Sequence, residues 1–298
     1  MKINKTYLLL LILTIGGLFA CSDDNDDNNT KEPTIYANNL SVMSFNIRYG
    51  DNDGANDWIY RKDLVQKAFA DLDVDIAGLQ EVVAVQHQDL QTMLPDYAIS
   101  GSPTGATQYG GVWSPIMYKK DAFELLDSGD FWLSETPETE SLGWDAAFKR
   151  IVSWVKLRVI ETGAEIYFFN THFDHKGEVA KQNSSKVLMK KLNEIVTPEG
   201  TCIVSGDLNS DNTSGPYKII TSKANRVIIK DTKEEAETPY TGPETSFNGF
   251  GNSSAYTIID FLFVTRNIHT LTYDIPQIRE GNVYISDHYP VISTIGFD

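Results

Sequence analysis

Ile151-Val152-Ser153-Trp154-Val155-Lys156-Leu157-Arg158-Val159-Ile160, followed after three residues by a second run over 164–171, is the stretch that decides the fold. Ile151, Val155, Leu157 and Val159 share one side, the period of two expected of a strand with one buried face. Two long strands with no helix between them do not fit a sheet built from strand–helix–strand crossovers. Working outward, further strands are predicted at 40–47, 74–79, 114–118, 123–126, 201–205, 227–229, 258–264 and 291–295. The first alternates apolar and polar residues and ends in a loop at Gly50 and Gly54. Helices are fewer. Leu64, Val65, Ala68, Phe69 and Leu72 fall at helical spacing, Leu90, Met93 and Leu94 mark a second helix stopped by Pro95, and Val187, Leu188, Leu192 and Ile195 mark a third before Pro198. So many strands with so few helices disfavour a TIM barrel or a Rossmann sheet, and predict an α/β domain of two packed sheets with helices outside.

The chain has 298 residues, with 25 Lys and Arg against 41 Asp and Glu, a net charge of −16. Its 41% apolar and 22% charged content is that of a soluble globular protein. The acidity argues against gripping nucleic acid through counterion release alone. Two cysteines exclude a disulfide-rich scaffold and a cysteine-cluster zinc site; Cys202, mid-strand, is expected to be a buried apolar residue. No linker or repeat interrupts 38–298, which is expected to be one catalytic domain.

The N-terminus reads as an address. Lys2 and Lys5 precede an apolar stretch from Tyr7 to Ala20, about 21 Å as a helix and short of the ~30 Å hydrocarbon layer. Residues 1–20 therefore read as a signal peptide. Gly17-Leu18-Phe19-Ala20-Cys21 resembles a bacterial lipobox, which implies lipidation of Cys21 and a membrane anchor. The acidic run Ser22-Asp23-Asp24-Asn25-Asp26-Asp27-Asn28-Asn29 follows, so 21–37 is expected to be a disordered tether. An acidic stretch after the lipid-bearing cysteine also resembles the surface-export signals of Bacteroidetes lipoproteins. The expected place is the cell envelope, at the outer membrane or surface of a Gram-negative bacterium.

Strand ends carry the chemistry. Asn46 stands in Ser44-Phe45-Asn46-Ile47-Arg48, Glu81 in Leu79-Gln80-Glu81-Val82, and His172 in Asn170-Thr171-His172-Phe173-Asp174. Asp207 and Asn209 stand in Ser205-Gly206-Asp207-Leu208-Asn209-Ser210, Asp260 in Ile258-Ile259-Asp260-Phe261, and Asp287 and His288 in Ser286-Asp287-His288-Tyr289-Pro290. Any one of these alone reads as a cap or turn. Together, carboxylates and amides without thiolates suit a hard cation, Mg²⁺ or Mn²⁺, and the two histidines supply proton transfer and charge stabilisation beside it. That is the donor set of metal-assisted phosphoryl hydrolysis.

These six motifs, in this order, resemble the endonuclease/exonuclease/phosphatase superfamily of DNase I-like phosphohydrolases over about 40–295. Phe45-Asn46-Ile47-Arg48-Tyr49-Gly50, Phe131-Trp132-Leu133-Ser134-Glu135-Thr136-Pro137 and Gly143-Trp144-Asp145 look like a bacterial branch of it. The resemblance implies a four-layer α/β/β/α sandwich with the site at one edge of the sheets. It implies Glu81 as principal metal ligand, with Asn46 and Asp287 near the same ion or a second one. Asp207 would orient or deprotonate the attacking water, and Asn209 would hold a phosphate oxygen. His288, set by Asp260, would bind the phosphoryl group or move a proton, and His172 would stabilise phosphate or protonate the leaving group. Arg150 fits the family's phosphate-contacting arginine, and Tyr118 a hydroxyl at the rim. One departure is Val112, where many relatives carry a Glu that pairs with the histidine matching His172; Asp174 and Asp145 are the candidates to replace it.

The expected activity is divalent-metal-dependent hydrolysis of phosphodiesters by direct attack of metal-positioned water, in a monomer. Nucleic acid, phospholipid, phosphoinositide and phosphorylated sugar all stay open as substrates. The alternatives are a phosphomonoesterase or a non-catalytic surface module reusing the fold. His175 either extends the site or is a plain loop residue, His87 and His269 read as surface residues, and Trp132 and Trp144 as loop aromatics near Arg150.

Overall fold

A computed structural model describes residues 36–50, 52–105, 111–254 and 256–298; the predicted signal peptide, Cys21 and the acidic run lie outside them. One six-stranded sheet runs in the order His269–Asp274, Val291–Phe297, Asn38–Asn46, Ile76–Gln80, Ile116–Lys119, Tyr97–Ser100. The other runs Ile229–Asp231, Asp260–Thr265, Thr201–Asp207, Glu165–His172, Ile151–Val159, Phe123–Trp132. Both are mixed: Asn38–Asn46 lies parallel to Ile76–Gln80 and antiparallel to Val291–Phe297, while Thr201–Asp207 lies parallel to Glu165–His172 and antiparallel to Asp260–Thr265.

The pleat sorts side chains into layers. Along Asn38–Asn46, Leu40 and Val42 face the second sheet and join Phe168 and Ile203 between the sheets. Met43 and Phe45 point the other way, onto Leu64, Val65 and Phe69 of the helix Trp58–Asp71 and Leu90 of the helix Ala84–Met93. The far face of the second sheet is covered by Leu188, Met189 and Leu192 of the helix Glu178–Ile195. The result is the α/β/β/α sandwich that the resemblance implied. Cys202 is buried in Thr201–Asp207, and burial pushes its thiol pKa up, which leaves it an unreactive thiol.

At one end the layer between the sheets turns polar. Asn170 donates to Leu79 O at 2.7 Å and Pro115 O at 2.9 Å, while its Oδ1 accepts from Gln80 Nε2 at 2.7 Å and Ser205 Oγ at 3.0 Å. Gly78 lets the sheets close there, since a Cβ would stand 2.0 Å from Ser205 Oγ. These bonds lock the two sheets in register beneath the site.

Asp231 offers a test of the core that is independent of the site. It is buried, accepts from Tyr217 OH at 3.0 Å and from Lys233 N at 2.9 Å, and caps the short helix Thr232–Glu235. Burial pushes its pKa up to about 6. The folded chain therefore holds this proton more tightly than the unfolded chain, so its contribution to stability is present below about pH 4 and lost as pH rises through about 6. Asp231→Asn, an isostere of the protonated acid, is expected to raise Tm by about 2–4 °C at pH 8 and by much less at pH 4.5. Equal shifts at both pH values would contradict the burial cost.

Candidate active site

The predicted strand ends meet at the polar end of the sandwich. Asp207 is paired across the second sheet with His172 on one side and Asp260 on the other, so the register alone aligns three site residues. Asn46 ends the neighbouring strand of the first sheet, and its Nδ2 donates to Glu81 Oε1 at 3.2 Å and to Asp207 Oδ2 at 3.0 Å. That amide bridges the two sheets. Asn209 Nδ2 lies 2.9 Å from His172 Nε2 and donates to Phe173 O at 3.0 Å, while its backbone N–H donates to Asp207 Oδ1 at 2.8 Å. His288 Nδ1 bonds Asp260 Oδ2 at 2.8 Å, and its Nε2 stands 3.8 Å from Asp207 Oδ2. Glu81, Arg48 and Asn209 are non-glycine residues with φ of 62°, 57° and 46°, the costly left-handed region, which clusters here around the chemistry.

Burial sets the protonation states. Asp207 is pushed up to about 7, first by burial and then by the neighbouring charge of Asp260. Burial and the cationic Arg150 hold His172 well below the ordinary histidine range, so its imidazole is neutral. Burial opposes protonation of His288 too, but Asp260, with Asp207 and Asp287, outweighs it and raises this pKa well above the ordinary value. Near neutral pH one histidine is a cation and the other is neutral. Two acid–base groups with opposite shifts in one buried site are the pattern that separates acid and base roles.

The residues fit a divalent cation. Arg48 places its guanidinium 3.8 Å from Glu81 Oε2 and 3.8 Å from Asp287 Oδ2, so the two carboxylates converge on one positive charge. Both are oxygen donors and part exposed, as Mg²⁺ or Mn²⁺ requires. Asp207, Asp260 and His288 also bring potential ligand atoms within 4.8 Å of one another. There His288 Nδ1 is hydrogen-bonded to Asp260, which leaves Nε2 as the ring nitrogen that faces Asp207. Asn46 turns its amide nitrogen to the carboxylates and so serves here as their bridge.

Tyr118 corrects an expectation. It pairs with Ile76, at the end of that strand remote from Glu81, and is buried edge-on against Phe123, so its hydroxyl does not reach the site. Neither candidate replaces the missing Glu at Val112, which pairs with Val83. Asp174 accepts from the N–H groups of Phe148, Lys176 and Gly177 and lies 3.8 Å from Arg150 Nε, while Asp145 accepts from Ala180 N and Val179 N at the start of the helix Glu178–Ile195. His172 Nδ1 stays buried without a hydrogen-bond partner among the described residues. His175 stacks on Phe148, His87 lies half-buried near Trp113, and His269 stacks on Tyr36.

Several residues that build the site escaped the motif reading. Arg61 is fully buried and donates to Arg48 O at 2.7 Å, Asn56 O at 2.8 Å and Ile285 O at 3.3 Å, with a further bond to Ile47 O. It ties the loop after Asn46 to the loop before Asp287; burial lowers its pKa to about 10. Its sign was in the sequence, because Arg61 precedes Leu64 and Val65 by three and four positions on the apolar helix face. Ser286 Oγ donates to Asn46 O at 2.7 Å, and Asn248 N donates to Asp287 O at 2.7 Å.

A two-sheet sandwich whose edge gathers carboxylates, an imidazolium and a buried arginine defines a metal-dependent phosphoester hydrolase. Residues 43–288 match the model of the Endonuclease/Exonuclease/phosphatase family, and the chain belongs to that family, whose members use divalent metal. A family member from Bacteroides vulgatus is 35% identical over 88% of this chain and 100% of its own, with a TM-score of 0.82. A mannosyl-6-phosphatase from Bacteroides thetaiotaomicron is 33% identical over 87% and 100%, with a TM-score of 0.80. The human nocturnin catalytic domain, with a bound sulfate anion, shares the fold at 19% identity over 87% and 94%, with a TM-score of 0.71.

Proposed function

We propose that the protein is a Mg²⁺- or Mn²⁺-dependent phosphatase of small phosphorylated sugars, held at the cell envelope through Cys21. The observation that carries this reading is the pair of cations at the site, Arg150 and His288. Arg150 keeps 13% of its side chain exposed, has a buried Nε without a hydrogen-bond partner among the described residues, and interacts with the charges of Glu81 and Asp207 at the site that also holds the protonated His288. Fixed donors of this kind match the dianion of a phosphomonoester better than a diester with one charge. The acidic chain disfavours a polyanionic nucleic acid, and the mannosyl-6-phosphatase likeness points to the same substrate class.

Each residue has a part. Glu81 and Asp287 would hold the cation, which supplies positive charge to a phosphoryl oxygen. Asp207, ionised, takes the proton from the attacking water. His288 and Arg150 steady the charge that develops on phosphate, with the Asn209 amide close by. Neutral His172 lends its ring to position the ester oxygen.

The test compares mannose 6-phosphate with bis-p-nitrophenyl phosphate, with Mn²⁺ or EDTA present. The sugar phosphate is expected to be the better substrate and EDTA to abolish turnover. A higher kcat/KM on the diester would return the function to the phosphodiesterase anticipated from sequence. Glu81→Ala is expected to weaken Mn²⁺ binding about 100-fold, read directly by electron paramagnetic resonance. Unchanged Mn²⁺ affinity would remove Glu81 from the metal site.

A further inference from the structure

Phe148 leaves 57% of its surface exposed although it is a large aromatic residue beside a buried catalytic cluster. Its ring stacks on His175, with centroids 5.7 Å apart and planes 21° apart, and the Arg150 guanidinium carbon lies 5.9 Å from the Phe148 centroid. One buried carboxylate holds both rings in place: Asp174 accepts from Phe148 N at 3.1 Å, from Lys176 N at 2.9 Å and from Gly177 N at 2.8 Å. The two loops are thus pinned to each other and to Arg150, and the aromatic pair is preorganised. His175 follows His172 by three residues, and Arg150 lies over the ring that His175 stacks on, so the exposed pair stands next to the site residues His172 and Arg150.

We propose that Phe148 and His175 form the leaving-group subsite, a platform for the apolar C–H face of a phosphorylated pyranose whose phosphate lies against Arg150. This rests on the sugar-phosphatase reading above. The rings are stacked on one another rather than set opposite each other, so they offer one apolar face and not the slot that sandwiches a nucleobase. A pyranose has one apolar face and a rim of hydroxyls, and the imidazole edge of His175 offers that rim a polar partner. No covalent step is added; the platform acts on binding and orientation of the substrate.

The experiment uses the Mn²⁺-loaded protein with mannose 6-phosphate and glycerol 3-phosphate, which carries no ring. Phe148→Ala is expected to raise KM for mannose 6-phosphate about tenfold with little change in kcat, so that the ratio of kcat/KM between the two substrates falls about tenfold. Phe148→Trp, which keeps a flat ring, is expected to hold the ratio within about threefold of wild type. Because Phe148 is exposed, thermal melting should move little in either variant. A ratio unchanged in Phe148→Ala, in a wild type that turns over mannose 6-phosphate, overturns the platform and leaves the phosphatase reading standing. A wild type inactive on both esters overturns that reading and the platform with it. If adenosine monophosphate loses more than mannose 6-phosphate in Phe148→Ala, the ring that rests there is a base and the sugar assignment is wrong.

Discussion

Asp207→Asn is expected to lower kcat about 10⁴-fold on any phosphoester the protein hydrolyses, the upper range for loss of a positioned base. The substitution keeps the shape of the side chain and still offers an oxygen to Asn209 N, now 2.8 Å from Asp207 Oδ1. It changes the other end. Asp207 Oδ2 accepts from Asn46 Nδ2 at 3.0 Å and lies 3.5 Å from His172 Nε2 and 3.8 Å from His288 Nε2. An amide nitrogen there faces another amide nitrogen and cannot take a proton from water. The carboxylate is suited to the task because burial, with Asp260 beside it, brings its pKa to about 7, where a base is both present and strong enough. Circular dichroism melting checks that the variant is folded, and single-turnover kinetics separates chemistry from binding. A loss of less than tenfold in a folded variant would move the base to another residue.

The sequence disclosed the centre of this site better than its supports. Inner strands are legible from their apolar content, on both faces in Thr201–Asp207 and on alternate residues along most of Ile151–Val159. The strands Tyr97–Ser100 and His269–Asp274 were not anticipated, and both lie at the edges of the first sheet, where one flank is unpaired and the apolar pattern is weak. Phe123–Trp132, an edge of the second sheet, runs well past the predicted end at 126. The same logic divides the site. Glu81, His172, Asp207 and His288 announce themselves as polar residues where apolar strands stop. Asn170 and Gln80 act by joining two sheets, and Arg61 by holding backbone carbonyls of two loops; such partners are fixed by tertiary packing and leave no motif. Tyr118 fails for the converse reason: the family resemblance implies a rim hydroxyl, but that strand is antiparallel to Ile76–Gln80 and delivers Tyr118 to the opposite end of the sheet.

Asp260→Asn is expected to lower kcat/KM about 10³-fold near pH 8, although Asp260 is placed to act on substrate only through His288. The carboxylate is fully buried and bonds His288 Nδ1 at 2.8 Å. It is the main reason that His288 remains an imidazolium despite the cost of burying a charge. Activity that needs this cation is lost as pH rises through the raised pKa of His288. Removing the carboxylate lowers that pKa, so the alkaline limb of the kcat/KM profile must move to lower pH. Asp260 also raises the pKa of Asp207, and its removal should shift the acid limb in the same direction. The whole bell therefore moves down the pH axis, and the deficit is smaller at pH 6 than at pH 8. A role confined to packing would lower activity by one factor at every pH and leave both limbs in place. Asp260→Glu tests the same point with the charge retained: if the alkaline limb stays near that of wild type while the rate falls, the charge of residue 260 sets the protonation of His288 and its position sets the geometry.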